Sequence, residues 1–133
     1  MLKIKNSAAA IPAQDIKRAR QFYEQKLGLK PEHEEGDGGA MYRTGETAFL
    51  VFLSMGKASG DHTQMALEVE DVVSAAAELQ GKGVKFEEYD QPNFKTKGGL
   101  VDMPDGTKGG WFKDTEGNLI ALTQRVPAQT PGR

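Results

Sequence analysis

The 133-residue chain contains no cysteine, only one tryptophan, and no long apolar run. Without cysteine, disulfide bonds, thiolate catalysis and cysteine-based zinc sites are excluded, which fits a reducing cytoplasm. Without an apolar stretch of about 20 residues, the sequence predicts neither a membrane span nor a secretory leader. We therefore expect a cytoplasmic protein that has no membrane partner.

An excess of positive charge is also missing. The chain has 17 Lys and Arg against 19 Asp and Glu, a net charge of −2, and the two signs are mixed along the sequence. Nucleic-acid binding requires a basic stripe or patch, so we expect no nucleic-acid partner. With 38% hydrophobic residues, the composition is that of an ordinary globular domain.

Motifs that are typical of a cofactor site or of a catalytic nucleophile are missing as well. No glycine-rich dinucleotide or P-loop motif is present, nor a G-x-S-x-G elbow. His33 and His62 have no partner at ligand spacing, and "DTEGN" is too short for a calcium loop and predicts a hairpin turn. We expect no cofactor.

Patterning predicts the same unit twice. "LKIKNSAAAI" predicts a strand, and "DIKRARQFYEQKLGL" a helix between an Asp15 N-cap and Gly28, followed by strands near 29–34, near 40–44 and at "TAFLVFLS". "TQMALEVE" starts the second copy, and a helix capped by Asp71 ends near Gly81. "VKFEEYD", "GGLVDMPDGTKGGWFKD" and "NLIALTQ" supply its remaining strands.

This order predicts an α+β chain made of two tandem βαβββ modules. Module one covers about 1–55, a linker 56–61, module two about 62–124, and a flexible tail 125–133.

The helix "DIKRARQFYEQKLGL", followed much later by "FKDTEGNLIALTQ", resembles the vicinal oxygen chelate superfamily. This superfamily includes glyoxalase I, bleomycin-resistance proteins and extradiol dioxygenases, and the resemblance extends over about 4–124. "FEEYDQP" and "GGWFKDTEGN" resemble its glyoxalase-like bacterial branch. The resemblance implies a cupped, barrel-like mixed sheet with the helices outside, and a homodimer.

The resemblance also implies four positions for the ligands of a divalent ion, one on each of four strands. In this sequence they are Ala8, Leu50 or Val51, Gln64 and Ala121. Only the Gln64 amide can donate an electron pair, and one neutral donor does not hold a divalent ion. We therefore predict no metal site.

A cup without metal ligands favours a pocket for a flat, largely apolar molecule, with aromatic walls and a few orienting polar groups. Gln64 is the candidate orienting amide and Glu68 the candidate partner for a cation or hydroxyl, while core packing remains an equal alternative for each aromatic residue. The predicted ligand-binding residues are Ala8, Tyr42, Leu50, Phe52, Gln64, Glu68, Tyr89, Met103, Trp111 and Ala121.

The leading hypothesis is a metal-free, homodimeric binding protein that sequesters an antibiotic or a toxic aromatic metabolite. The alternative is a lyase, isomerase or dioxygenase acting on a small metabolite, including a metal-free enzyme that uses Glu68 or a tyrosine as acid or base. In a third hypothesis, the cupped sheet binds no ligand and serves only as the contact surface of the dimer.

Overall fold

A computed structural model of the chain describes residues 1–126. Most of the predicted tail, residues 127–133, lies outside this part. The chain divides into unit 1, made of Met1–Ser59 and Thr115–Asn118, and unit 2, made of Gly60–Asp114 and the chain from Leu119 onward. No helix among the described residues is long and apolar enough to cross a bilayer.

Each unit contains one α-helix and one four-stranded mixed sheet, which confirms the predicted α+β class and the internal repeat. Each sheet is open, because it ends in two edge strands. The barrel-like closure implied by the resemblance is therefore not found within either sheet.

Unit 1 forms its sheet in the strand order β1-β4-β3-β2, with β1 parallel to β4 and the other pairs antiparallel. Its elements are β1 (Ala9–Ala13), α1 (Ile16–Gln21), a π-helical segment (Phe22–Lys26), β2 (Pro31–Glu34), β3 (Ala40–Thr44) and β4 (Thr47–Leu53).

The first strand begins later than predicted, because residues 1–8 are exposed and have no regular secondary structure. Ala9 pairs with Phe49, and β4 itself begins only two residues earlier, at Thr47. The apolar alternation of Leu2 and Ile4 therefore has no strand opposite it.

The helix of unit 1 begins where predicted. The Asp15 carboxylate accepts a hydrogen bond from the Arg18 backbone N–H at 3.0 Å, as an N-cap does. Helical structure ends before Gly28, whose φ of +73° suits glycine. The sequence did not predict that the last turns are π-helical.

The core of unit 1 lies between this helical segment and one face of the sheet. The Tyr23 ring lies 5.9 Å from the Tyr42 ring and 5.5 Å from the Phe49 ring, measured between centroids. Ile11 and Val51, on the same face as Phe49, are fully buried. Alternate residues of β4 therefore face the helix, and those between them face away.

Unit 2 repeats the arrangement with the strand order β5-β10-β9-β8. Its elements are β5 (Thr63–Glu68), α2 (Val72–Gly81), β6 (Asp90–Gln91), β7 (Phe94–Lys95), β8 (Leu100–Asp102), β9 (Lys108–Lys113) and β10 (Leu119–Gln124). The strands β6 and β7 form a separate two-stranded sheet.

The prediction of one strand at "VKFEEYD" is wrong. This segment makes a single β-bridge, between Phe86 and Phe112, before the chain enters β6. The edge of β9 that it approaches is already occupied by β8, which pairs Leu100 with Gly110. Too little of that edge remains for a continuous strand.

The position of α2 identifies the covered face of the second sheet. Asp71 caps the helix through the Ser74 N–H at 3.2 Å, as predicted. The first helical N–H, of Val72, donates to the Gln124 side-chain carbonyl at 2.8 Å. Gln124 shares its face of β10 with Ile120 and Leu122, so α2 covers that face.

The hairpin turn between β9 and β10 belongs to unit 1, which a division into contiguous modules does not anticipate. Its Glu116 carboxylate accepts hydrogen bonds from the backbone N–H groups of Gln14 and Asp15, at 3.1 and 3.0 Å. Arg18 donates to it through Nε at 2.7 Å and Nη2 at 3.2 Å. The Glu116 side chain is only 3% exposed.

The environment of Glu116 has opposing effects on its pKa. Burial raises the pKa, but the hydrogen bonds from Arg18, the Asp15 N–H and the Thr115 hydroxyl together outweigh burial and hold it below the ordinary value. The carboxylate is thus ionised in the folded protein and stabilises the junction between β1 and α1.

We predict that Glu116→Gln lowers the free energy of unfolding at pH 7 by about 2 kcal/mol, since charge-assisted hydrogen bonds to a buried group are lost. The matched control is Glu46→Gln, in the exposed turn between β3 and β4, which should change it by less than about 0.5 kcal/mol. Urea unfolding followed by circular dichroism measures both.

The stability of the wild type and that of Glu116→Gln should respond differently to acid. The ionised Glu116 stabilises the fold above its ordinary pKa of 4.5, and this contribution is lost as the pH falls through the depressed folded-state pKa. The stability gap between wild type and Glu116→Gln should therefore narrow on acidification. A gap that stays constant down to pH 2 would contradict the assignment.

Candidate functional site

Each sheet has one face that its own helix leaves uncovered. In unit 1 this helix-free face is defined by residues that alternate with the core positions and are paired across β1, β3 and β4. Its apolar members are Ala10, Pro12, Met41, Ala48, Leu50 and Phe52. All except Ala10 are half-buried. The face thus offers apolar side chains that the unit's own core does not use.

In unit 2 the helix-free face lies opposite the one that α2 covers. The strand register aligns Ala66 with Ala121 and Trp111, and Glu68 with Thr123. These five residues define the face across β5, β10 and β9. The Trp111 indole is half-buried. This face therefore combines methyl groups, one large aromatic ring and one carboxylate.

Two of the predicted site residues of unit 1 lie on its helix-free face, namely Leu50 and Phe52. Val51, the alternative to Leu50, is fully buried on the helix side, and Leu50 stays the predicted site residue. Ala8 precedes β1 and is exposed. Its role as a site residue stays a prediction.

Tyr42 is a core residue, so its assignment to the pocket wall is wrong. Its ring packs on Tyr23 and Phe49, it is fully buried, and its hydroxyl donates to Glu24 Oε2 at 2.7 Å. Burial, together with the Glu24 hydrogen bond, raises the pKa of Tyr42 well above the ordinary value. Because the ring is fully buried on the helix side and its hydroxyl is bonded to Glu24, Tyr42 does not line the helix-free face.

In unit 2, three of the predicted residues share the helix-free face: Glu68, Trp111 and Ala121. Gln64 occupies a β-bulge, because Thr63 pairs with Leu119 while Met65 pairs with the next residue of β10. The bulge interrupts the simple alternation from which we expected Gln64 and Glu68 to share a face. The role of Gln64 as the orienting amide stays a prediction.

Met103 lies in the turn between β8 and β9 rather than on a sheet face, and it is 39% exposed. Its backbone N–H donates to the Thr107 carbonyl at 2.8 Å, which closes that turn. A ligand contact by Met103 also stays a prediction.

The principal feature of the helix-free face of unit 2 is an aromatic cluster formed by Tyr89, Phe94 and Trp111. The ring centroids of Tyr89 and Phe94 lie 5.6 and 5.5 Å from that of Trp111. The indole Nε1–H donates to the Thr63 hydroxyl at 3.1 Å, which fixes the orientation of the ring. Burial, with a smaller effect of the Glu87 carboxylate, raises the pKa of Tyr89. Sequence analysis missed Phe94, although it directly follows the Pro-Asn turn, where it pairs with Gln91.

The donor set does not fit the divalent ion that the fold family implies. The open-face positions equivalent to metal ligands present the side chains of Leu50 and Ala121, and Ala8 precedes the first strand. Among residues 1–126 no three His, Asp or Glu side chains converge as a metal site requires. Glu68 lies 3.6 Å from the Arg125 guanidinium instead.

A groove of about 350 Å³ lies elsewhere, on the outer surface of α1 and the π-helical segment. Two of its charged lining residues are already paired, since Arg20 donates to Glu24 at 2.8 Å. Arg20 also donates, through both Nη atoms, to Glu34 at 2.6 and 2.9 Å. None of the predicted site residues lines this groove. The chemistry offered by the helix-free faces is therefore distinct from it.

Solved structures with this architecture include several glyoxalase-type proteins. A lactoylglutathione lyase from Agrobacterium tumefaciens is 16% identical, with a TM-score of 0.68 over 90% of this chain and 92% of that one. A glyoxalase/bleomycin resistance protein/dioxygenase from Nocardioides is 16% identical, with a TM-score of 0.66 over 99% and 92% of the two chains. A Vibrio cholerae integron cassette protein is 20% identical, with a TM-score of 0.64 over 95% and 99%.

At these sequence identities the structures show that the fold is shared, and they do not assign a function. No curated protein matches the chain significantly. The family model described as glyoxalase/bleomycin resistance protein/dioxygenase superfamily matches residues 6–122. This match spans both units and agrees with the repeated helix-on-sheet arrangement, so the chain belongs to the glyoxalase/bleomycin resistance protein/dioxygenase superfamily.

Proposed function

We propose that this protein binds a small, flat and largely apolar organic molecule without the help of a metal ion. The observation that carries the proposal is the aromatic cluster on the helix-free face of unit 2, where Trp111 is only half-buried. An indole oriented by a hydrogen bond to Thr63 offers a rigid apolar plane. For unit 1 taken by itself, Leu50 and Phe52 on the helix-free face stay predicted ligand-binding residues.

Binding of this kind depends on area and shape, and it does not need the missing metal ligands. Aromatic and alkyl walls supply the buried area, while a few polar groups orient the ligand. Gln64 and Glu68 are the proposed polar groups. The bleomycin-resistance branch in the family description supports sequestration of an antibiotic or of a toxic aromatic metabolite. A cytoplasmic location stays a prediction from the composition.

A second candidate function is catalysis on a small metabolite by a lyase-type reaction. The observation in its favour is the similarity of fold to the lactoylglutathione lyase of A. tumefaciens. In that case Glu68 is the candidate acid or base, since it is the carboxylate on the helix-free face of unit 2. Its exposure and its ion pair with Arg125 favour the binding protein over the enzyme.

Ligand binding should be detected as thermal stabilisation in a panel of aromatic antibiotics and metabolites. A ligand present at about 100 times its Kd adds about 2.7 kcal/mol to the free energy of unfolding, which raises the Tm by several degrees. Trp111→Ala should abolish the shift. Val73→Ala, on the exposed surface of α2, should retain it. A full shift in the Trp111 variant would refute this binding surface.

Metal removal tests the binding protein against a metal-dependent enzyme. Protein purified without chelator should contain far less than one divalent ion per chain, and dialysis against EDTA should leave its Tm unchanged, because methyl and alkyl groups cannot coordinate a cation. Elemental analysis measures the metal content. A near-stoichiometric metal that is lost in Gln64→Ala would favour the enzyme instead.

The proposal includes a homodimer, which is supported by exposed apolar side chains at the end of β4. Leu53, the last residue of β4, is 49% exposed, and Met55, two residues further on, is 98% exposed. Light scattering after gel filtration should give twice the mass of one chain, and Phe52→Glu should give a monomer with weakened ligand binding. Val73→Glu is the control on the outer surface. A monomeric variant with unchanged binding would separate dimerisation from function.

A further inference from the structure

A short hairpin carries two of the three rings of the aromatic cluster. Residues 89–95, here called the flap, contain β6 and β7, which pair only with each other, through Asp90 with Lys95 and Gln91 with Phe94. A two-stranded hairpin this short is marginally stable by itself in water. Its position must therefore be maintained by its base and by its rings.

The base of the flap is well anchored. The Thr96 hydroxyl donates to the Glu88 carboxylate at 2.6 Å and accepts from the Tyr89 N–H at 2.8 Å. The Gly99 N–H donates to the same Glu88 oxygen at 2.9 Å. These hydrogen bonds hold the backbone at the base of the flap in place even when the tip moves.

Within residues 1–126, no comparable hydrogen bonds anchor the tip. The four residues 90–93 are all exposed, and the flap contacts β9 through the rings of Tyr89 and Phe94 on Trp111. The Trp111 indole is fixed separately, by its hydrogen bond to Thr63. Movement of the tip would therefore expose an indole that keeps its orientation.

The ring geometry indicates what the uncovered indole can accept. Tyr89 lies at 90° to the plane of Trp111 and Phe94 at 54°, so neither ring is stacked parallel on the indole. Offset parallel stacking is one of the two favourable arrangements for aromatic pairs. A flat aromatic ligand would gain this arrangement, whereas a saturated ring of equal volume would not.

We propose, on the basis of the proposed function, that the flap is a displaceable aromatic cover and that the ligand class is fused-ring planar aromatics. The ligand stacks on Trp111 in the place that Phe94 now occupies, and the flap tip moves aside about its anchored base. Phe94 thus competes with the ligand, in contrast to Trp111, which binds it.

Trp111 is the one tryptophan of the chain, so its signals report on this site alone. The binding probe is 2-naphthol, and its saturated analogue decahydro-2-naphthol is the control for volume and hydroxyl. In ¹H–¹⁵N spectra of the full chain, 2-naphthol should shift the single indole N–H peak in a saturable manner. The saturated analogue should need at least about tenfold higher concentration, since it cannot stack.

Phe94→Ala distinguishes a competing cover from a binding wall. It should lower the Kd for 2-naphthol about threefold to tenfold and should increase acrylamide quenching of Trp111 fluorescence about twofold in the ligand-free protein. Gln91→Ala, which alters an exposed residue of the same flap, should change neither value. Tyr89→Ala provides a second test of the cover if Phe94→Ala does not fold.

The outcomes separate this inference from the proposed function. Binding of 2-naphthol that is weakened or unchanged by Phe94→Ala, with unchanged quenching, overturns the flap and leaves the binding function intact. Equal affinity for the saturated analogue overturns the planar ligand class. Absence of any saturable shift of the indole N–H peak refutes the binding surface. Acrylamide quenching of Trp111 fluorescence in Phe94→Ala and Gln91→Ala then still decides whether the flap covers Trp111.

Discussion

A single helix covers only one face of a four-stranded sheet, and this constraint organises both units. In unit 1, Tyr23 packs against Phe49 and leaves Leu50 pointing away. In unit 2, α2 is tied to Gln124 and leaves Trp111 on the other side. Because side chains alternate along a strand, the residues that build the core also determine which residues remain available for binding.

Local signals were sufficient to predict both helices and the strands of the two four-stranded sheets, but not the hairpin of β6 and β7. Each helix begins at an aspartate whose carboxylate accepts a backbone N–H within the first turn, and such a cap depends only on residues three apart. The repeat of helix and strands followed from these caps, from the glycines after each helix and from apolar alternation. The α+β class was therefore predictable from the sequence.

Features that depend on distant partners were not predictable. The bulge at Gln64 arises from the register between β5 and β10, which are more than 50 residues apart in the chain. The hydrogen bonds of Glu116 to Gln14 and Asp15 span about 100 residues. Tyr42 and Leu50 both fit an apolar alternation, and only the register and the packing of Tyr23 decide which of them belongs to the core.

The substitution of donors by methyl and alkyl groups also changes what the helix-free faces can do. A carboxylate or imidazole at the place of Ala121 would need a cation or water to satisfy it, whereas a methyl group requires neither. Such a surface binds by excluding water over a large area, so its selectivity must come from shape and ring geometry. Trp111, fixed by Thr63 and covered by rings at steep angles, is the position at which the described structure supplies that selectivity.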